Sequence, residues 1–267
     1  MTLTIGLFGT GRLGSAIRAA AALRDDVEVT WSVGRGTSEG APGRLAGLPP
    51  VEVAIDVSHA DTVAQRLSWA RTTGTALVIG TTGWDPHLVD EAACGEAPVL
   101  IAPNFALGVA LVRRLAVVLG GYAATAPVPV DLAISETHHR GKADSPSGTA
   151  LSLREALATG AGREATAIQT TSLRVGSVIG DHEVLVASEL ETISVRHVAH
   201  DRSLFAHGAL AAARWLATRP AGLHTLDDLA EDALDSLLRP SSRHPAPSVH
   251  HPDTLPAPST PPKEGLR

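Results

Sequence analysis

Residues 3–14 read LTIGLFGTGRLG, a short apolar run followed at once by a turn with three closely spaced glycines. The run predicts a buried strand, and the helical spacing of apolar residues from Ser15 to Leu23 predicts a helix directly after the turn. A strand, a glycine turn and a helix in this order are typical of dinucleotide-binding units, where glycines permit the tight turn and the close approach of a pyrophosphate. An ordinary glycine-rich turn has the same letters, so the motif favours a cofactor site without proving one.

The same succession of a strand and helical spacing continues through the first half of the chain. Aromatic residues make up only 3% of the sequence and hydrophobic residues 44%, so the cores must rest on Ala, Val, Leu and Ile, which suits a parallel sheet covered by helices. The sequence therefore predicts an α/β fold that begins with a Rossmann-type dinucleotide-binding domain. Further strands are predicted at 27–33, 51–57, 76–79 and 99–102, and further helices at 62–70 and 107–119.

Composition argues against several classes of protein. The formal net charge is −6 and no block of Lys and Arg occurs, which argues against nucleic acid as a partner. No charged n-region precedes an apolar segment at the N-terminus, and no apolar run is predicted to reach membrane-spanning length, so we expect a cytoplasmic protein with no membrane partner. Cys94 is the only cysteine, which excludes an intramolecular disulfide and fits a reducing compartment.

Residues 135–154, SETHHRGKADSPSGTALSLR, gather cations, hydroxyls and flexible backbone into one short span. Glu136 closes an alternating apolar run, so His138, His139 and Lys142 are predicted to fall in the loop after that strand. Two adjacent histidines can also be ordinary polar loop residues. A zinc site is the less favoured interpretation, because no other His, Cys or carboxylate lies at the usual ligand spacing, and we expect no metal.

The end of the same span predicts a helix N-terminus that can hold an anion. Ser147 stands where an N-cap residue should, just before a run with helical spacing. The backbone N–H groups of Gly148 and Thr149 would then lie in the first turn, and Lys142 adds a full positive charge. A carboxylate or phosphate would bind well here, beside a histidine that can donate a proton. A capped turn without a ligand is the plainer alternative.

The whole pattern E-x-H-H-x-x-K-x-D-x-P-S-G-T-A resembles the signature of the dihydrodipicolinate reductase family, also called 4-hydroxy-tetrahydrodipicolinate reductases. In order along residues 4–238, four more blocks are similar to that family's motifs. They are GTTG at 80–83, APNFALGV at 102–109, R-x-G-x-x-x-G-x-H at 174–182 and H-x-A-x-x-R-x-x-F-A-x-G at 197–208. Two departures are Ala106, where serine is usual, and a glycine turn one residue shorter than is common in the family.

The resemblance implies NAD(P)H-dependent reduction of 4-hydroxy-tetrahydrodipicolinate to tetrahydrodipicolinate, in lysine and diaminopimelate biosynthesis. Hydride transfer to a conjugated imine leaves electron density that a proton must quench, which suits His138 and Lys142 as the catalytic pair. The predicted substrate-binding residues are His139, Lys142, Ser147, Gly148 and Thr149. The predicted cofactor-binding residues are Gly9, Thr10, Gly11, Arg12, Leu13, Gly14, Arg35, Gly80, Thr81, Thr82, Ala102, Asn104 and Phe105.

Cofactor choice depends on the residues after the second predicted strand. The position that usually carries an acidic residue for the adenosine ribose of NAD reads Gly34–Arg35 here. Arg35 could meet a 2′-phosphate, so we expect NADPH as the preferred cofactor, with NADH as the second option. A solvated loop charge at Arg35 is the alternative.

The expected organisation has two folded domains and a tail. Residues 1–106 and 207–238 are predicted to form the dinucleotide-binding domain, and residues 107–206 a mixed α/β domain for substrate binding and oligomerisation with an open, largely antiparallel sheet. Its runs 168–175, 183–188 and 192–198 are predicted to be antiparallel, because their connections look too short for crossovers. The resemblance implies a homotetramer built through this sheet. Residues 239–267 are rich in Pro, Ser and His and are predicted to be disordered.

Two other functions stay open at the level of sequence. The chain could be a paralogue that reduces a different cyclic imine, which the short 34–50 segment and Ala106 allow. It could also be a non-catalytic NAD(P)-sensing module, because a dinucleotide-binding fold alone does not fix function. The presence of both His138 and Lys142 argues against the second option.

Overall fold

A computed structural model describes residues 1–34, 45–89 and 97–238. The predictions for Arg35, Cys94 and the tail at 239–267 therefore lie outside the described residues. The strands are β1 (Leu3–Phe8), β2 (Val27–Val33), β3 (Val53–Asp56), β4 (Ala76–Ile79), β5 (Pro98–Ile101), β6 (Asp131–His138), β7 (Gln169–Arg174), β8 (Gly180–Ala187), β9 (Thr192–Ala199) and β10 (Gly222–Thr225). The described helices, apart from short 3₁₀ turns, are α1 (Arg12–Ala22), α2 (Val63–Thr73), α3 (Leu107–Thr125), α4 (Gly148–Ala161), α5 (Ser203–Leu216) and α6 (Leu226–Leu238).

The first sheet is parallel throughout and has the strand order β10-β5-β4-β3-β1-β2. Its central strands are buried on both faces, as their continuous apolar runs require. Helices α1 and α5 pack in the core on one face, around Ile17, Leu210 and Leu216. Helix α2 belongs to the core on the other face, with Leu67. The predicted Rossmann-type fold is confirmed, while the strand β10 was not foreseen.

The second sheet has the order β7-β6-β8-β9 and is covered by helices α3 and α4. The pairs β6–β8 and β8–β9 are antiparallel, as the predicted fold class requires. The prediction is wrong for residues 168–175, because β7 does not pair with β8 and instead lies parallel to β6. Helix α4 connects β6 to β7, and a helix is long enough for the crossover that a parallel pair needs.

Strand β6 is longer than the sequence pattern suggested. Its burial alternates through Leu132, Ile134, Glu136 and His138, so the prediction that His138 falls in the loop after the strand is wrong. The alternating pattern of apolar residues extends only to Ile134. Because Glu136 and His138 are polar but face inward, the predicted strand ended too early.

Helix α3 bears on the prediction that no apolar run reaches membrane-spanning length. By length and composition alone it could span a bilayer, contrary to the expectation that no apolar run reaches that length. In the fold it packs along α4, with Ala116 and Ala123 in the second core. Its Arg113 and Arg114 bind Asp227 and Glu231 of α6 at 2.9 and 2.7 Å. The helix therefore joins the two sheets within one packed structure.

Candidate active site

A cleft of about 970 Å³ lies between the carboxyl edge of the first sheet and the β6–α4 connection of the second. Crevices at the carboxyl ends of parallel strands are where α/β folds usually bind ligands. The cleft brings together predicted residues from both halves of the chain. They are Leu13, Gly80, Thr82, Ala102, Asn104, Phe105, His138, His139, Lys142, Ser147, Gly148 and Thr149.

The glycine turn after β1 is tightly packed on one side and open on the other. Gly9 has a φ of +107°, which favours glycine. A Cβ at Gly14 would lie 1.9 Å from the carbonyl oxygen of Gly9, so α1 packs directly on the turn. A Cβ at Gly11 would meet no atom within 4 Å, and Thr10, Gly11 and Arg12 are exposed. The turn is therefore open on the side where a pyrophosphate would approach the helix N-terminus.

Thr81 has a different position from its neighbours in the GTTG turn. Its side chain is buried and donates to Asp56 Oδ1 at 3.0 Å, while it accepts from the backbone N–H of Ser58 at 2.9 Å. The hydroxyl of Thr81 is thus used inside the fold, where it joins the ends of β3 and β4. Gly80 and Thr82 are the residues of this turn that line the cleft, and a Cβ at Gly80 would lie 2.3 Å from the Phe105 ring.

Asn104 connects the two halves of the cleft. Its Nδ2 donates to Thr149 Oγ1 at 3.2 Å, and its Oδ1 accepts from the backbone N–H of Ala106 at 2.9 Å. Phe105 is 2% exposed and belongs to the first core. A predicted cofactor residue and a predicted substrate residue are therefore in direct contact.

His138 is buried at the end of β6 and its Nδ1 contacts Glu136 Oε2. Glu136 also accepts from Arg174 Nη2 at 2.8 Å and from the backbone N–H of Ser147 at 3.2 Å. Burial alone would raise the pKa of Glu136, but these donors, Arg174 foremost, lower that pKa to about 2. Burial lowers the pKa of His138, and the hydrogen bond to Glu136 opposes that shift.

His182 completes a buried group that sequence reasoning missed. Glu136, His138 and His182 offer ligand atoms within 4.8 Å of one another, a spacing that could hold a metal ion. The Arg174 guanidinium already binds the Glu136 carboxylate, and its positive charge would repel a metal ion at this position. The expectation of no metal stays a prediction. Burial, followed by the neighbouring His138, lowers the pKa of His182 to about 4.

Lys142 lies in the loop after β6, as predicted, and has a partner that was not foreseen. Its Nζ lies 2.9 Å from Asp144 Oδ1. The hydrogen bond from Lys142 lowers the pKa of Asp144, and the backbone N–H of Gly148 acts in the same direction. The carboxylate of Asp144 therefore lies where the sequence predicted a bound anion. Its place in the signature, two residues after the lysine, was the available signal.

Ser147 caps α4 as predicted, with its Oγ accepting from the backbone N–H of Ala150 at 3.1 Å. Its own N–H is directed to Glu136 and the residue is 1% exposed, so both polar groups serve the fold. Gly148 is exposed at the first turn and Thr149 is half-buried beside Asn104. At the start of α4, Gly148 and Thr149 are therefore better placed than Ser147 to contact a ligand.

Comparisons with known proteins identify the family of this chain. The family model described as "Dihydrodipicolinate reductase, N-terminus" matches residues 3–105, and the one described as "Dihydrodipicolinate reductase, C-terminus" matches residues 107–230. This chain belongs to the dihydrodipicolinate reductase family. A relative named 4-hydroxy-tetrahydrodipicolinate reductase from Gluconobacter oxydans (strain 621H) is 41% identical over 244 residues, which cover 84% of this chain and 95% of the relative.

Other members of the dihydrodipicolinate reductase family extend the likeness. A protein of the same name from Zymomonas mobilis is 38% identical over 255 residues, covering 85% of this chain and 97% of that protein. The solved structure of a dipicolinate-bound dihydrodipicolinate reductase from Paenisporosarcina sp. TG-14 superimposes with a TM-score of 0.69 at 20% identity, covering 86% of this chain and all of that one. That structure supports the fold.

Proposed function

We propose that this protein is an NAD(P)H-dependent oxidoreductase that reduces 4-hydroxy-tetrahydrodipicolinate to tetrahydrodipicolinate, in lysine and diaminopimelate biosynthesis. One observation supports the proposal most: in this member of the reductase family, His138 and Lys142 line the same cleft as Gly80, Thr82 and Ala102, the residues that we expect to meet the cofactor. Relatives named for this activity match more than nine-tenths of their own length. Fold alone would not decide the reaction, but a donor, an anion site and a cofactor turn in one cleft favour a reductase.

The substrate has two carboxylates, and the helix start supplies an anchor for one of them. Lys142 is 26% exposed in its side chain and contributes a charge, while Thr149 contributes a hydroxyl and Gly148 an N–H at the positive end of α4. His139 lines the same part of the cleft. We assign these residues to substrate binding, with Ser147 holding the helix start in place.

The cofactor would lie along the open glycine turn and reach the cleft past Gly80, Thr82 and Ala102. Bound NAD(P)H supplies a hydride, that is, one hydrogen nucleus with two electrons, to a ring carbon of the conjugated imine. Asn104 and Phe105 line the same cleft, and the hydrogen bond from Asn104 to Thr149 supports a cofactor site next to the substrate site. Loss of the 4-hydroxyl group with a neighbouring ring proton would release water and give the conjugated imine. The substrate, NAD(P)H and one proton would then together yield the reduced ring, NAD(P)⁺ and water, with His138 providing the proton to the ring.

Finer features of the protein are part of the same proposal. We infer a preference for NADPH, supported by the absence of an acidic residue at Gly34–Arg35. We also infer a dinucleotide-binding domain at 1–106 and 207–238, a substrate domain at 107–206, a homotetramer and a cytoplasmic location. The family models divide the chain between 105 and 107, which supports the first boundary.

The test is NADPH oxidation followed at constant enzyme concentration with freshly generated 4-hydroxy-tetrahydrodipicolinate. We expect turnover well above the rate without substrate. A cyclic imine with one carboxylate serves as the matched comparison, because it lacks one of the anionic groups. Faster turnover of the comparison imine would favour a paralogue with another substrate, and no turnover of either with NADPH or NADH would contradict the proposal.

A further inference from the structure

Glu136 occupies a position in β6 where an apolar residue would be expected. The inward face of this strand runs Leu132, Ile134, Glu136, His138, and Glu136 is 1% exposed. A carboxylate in such a row is costly unless it is paired and hydrogen-bonded. Packing alone therefore does not account for an acid at this position.

The carboxylate is held from three separate elements. His138, two residues along β6, approaches Oε2 with Nδ1. Arg174 at the end of β7 donates to Oε1 at 2.8 Å, and the backbone N–H of Ser147 at the start of α4 donates to the same oxygen at 3.2 Å. This arrangement keeps Glu136 ionised and fixes both of its oxygens in space.

The contact with Nδ1 constrains the imidazole of His138. An ionised carboxylate only accepts hydrogen bonds, so Nδ1 must carry the proton, and Nε2 is the nitrogen left to act on a ligand. The ring also lies edge-on to His182, with centroids 4.9 Å apart. On another side, a Cβ at Gly180 would come within 3.3 Å of Nε2, so the glycine at this position leaves space beside that nitrogen. The ring is therefore confined in both tautomer and orientation.

The charges around the His138 ring show why His138 needs the Glu136 carboxylate in order to act as a proton donor. Lys142 and Arg174 both disfavour a positive charge on His138, as does its burial, whereas Glu136 favours it. The third neighbour, His182, is mainly neutral at pH 7 because its pKa is lowered to about 4. Without the charge of Glu136, the imidazolium form would be rarer in the cleft.

We propose that Glu136 is a positioning residue for His138. The Glu136 carboxylate, anchored by Arg174, holds the His138 imidazole with Nδ1 protonated, so that Nε2 faces the substrate. The inference rests on the proposed function, in which His138 supplies the proton. In that step the Nε2–H bond of the imidazolium breaks and a bond from that hydrogen to the reduced ring forms. His138 is left neutral, with Nδ1–H still donated to Glu136, and a solvent proton restores it.

The first test is Glu136→Gln, which keeps the shape of the side chain but removes its charge. We expect kcat to fall roughly 10- to 100-fold with KM for the imine within about twofold, since the groups that bind the substrate are untouched. The alkaline limb of the kcat–pH profile should move to lower pH, because the imidazolium loses its counter-charge. Glu136→Asp should recover part of kcat. Glu183→Gln on β8 removes a like charge from a neighbouring strand and should leave kcat, KM and the pH profile unchanged.

A double-mutant cycle separates positioning from a merely structural role. In the His138→Gln background, Glu136→Gln should cost less than about twofold in kcat, because the group it positions is already gone. An equal loss in both backgrounds, or a rise in KM with kcat intact, would overturn the proposal. If Glu136→Gln alone fails to fold, Glu136→Gln with Arg174→Met removes the unpaired buried cation and is assayed in its place.

A readout without turnover keeps this test distinct from the test of the proposed function. Nitrogen NMR shifts of the ligand-free protein should show His138 protonated at Nδ1 in the native chain and in Glu183→Gln. Glu136→Gln should change that tautomer balance or lower the pKa at which His138 titrates. An unchanged signal would overturn the positioning role, whatever substrate the enzyme reduces.

Discussion

Two acid–base pairs in the same signature, Glu136 with His138 and Lys142 with Asp144, have the same two-residue spacing and opposite surroundings. The first pair lies on a strand, is almost fully buried and is fixed by Arg174 from a second strand. The second lies in a loop, where the Lys142 side chain is 26% and the Asp144 side chain 55% exposed. The buried Glu136–His138 pair is therefore expected to persist, whereas the exposed Lys142–Asp144 pair can open.

The energies of such pairs explain why the difference suits a reductase. Breaking a buried pair by removing one partner costs about 3 to 5 kcal/mol, whereas an exposed pair contributes about 0 to 1 kcal/mol. A proton donor must be aligned before the reaction, so a fixed partner is an advantage. A cation that binds a substrate carboxylate must release its own partner first, so an exchangeable one is needed. Mutations in the Glu136–His138 pair should therefore act mainly on kcat, and mutations in the Lys142–Asp144 pair mainly on KM.

The largest effect is expected from His138→Gln, which keeps size and some hydrogen bonding but cannot supply an imidazolium proton. We expect kcat to fall by roughly 10² to 10⁴ while KM for the imine changes little. Steady-state kinetics over a range of pH and in heavy water would measure both. His138 would instead be a binding residue if KM rose and kcat were intact, and the proton would then come from Lys142 or solvent.

Lys142→Met should have the second-largest effect, and it should act mainly on binding. The variant removes the charge and keeps the stem, so KM for the imine should rise about 10- to 100-fold, the equivalent of a hydrogen bond to a charged group. A loosely held substrate ring is also poorly aligned with the nicotinamide, so a smaller fall in kcat is expected. The KM for NADPH should stay within about twofold. A large loss of kcat at constant KM would identify Lys142 as the proton donor.

Several features of the fold and of the candidate site could be predicted from the sequence, because they depend on local patterns. Ser147 as the cap of α4 and the glycine turn at Gly9–Gly14 were correctly located, since caps and tight turns have residue preferences of their own. The parallel first sheet followed from buried apolar runs. These features need no knowledge of the distant chain.

The long-range partners of the site residues, Arg174 and His182, were not predictable, because they come from distant parts of the chain. Arg174 reaches Glu136 only because β7 crosses over to lie parallel to β6, where the sequence suggested antiparallel neighbours. His182 meets His138 through the pairing of β6 with β8. A polar residue that faces the core has no periodic signature of its own, so the apolar pattern predicts that the strand ends at Glu136.

The smallest effect, and the sharpest test of the exchangeable pair, is expected from Asp144→Asn. Asp144 Oδ1 lies 2.9 Å from Lys142 Nζ, so under the proposed function Asp144 would compete with the substrate carboxylate for the same cation. Removing its charge should lower KM for the imine about 2- to 5-fold with kcat nearly unchanged, which matches the small contribution of an exposed ion pair. The advantage over the native chain should shrink at high salt, because salt screens the competing pair. Asp131→Asn, at the exposed start of β6, is the matched control and should leave KM unaltered. A higher KM in Asp144→Asn would instead show that Asp144 orients Lys142 towards the substrate, and the Lys142–Asp144 pair would then resemble the fixed pair.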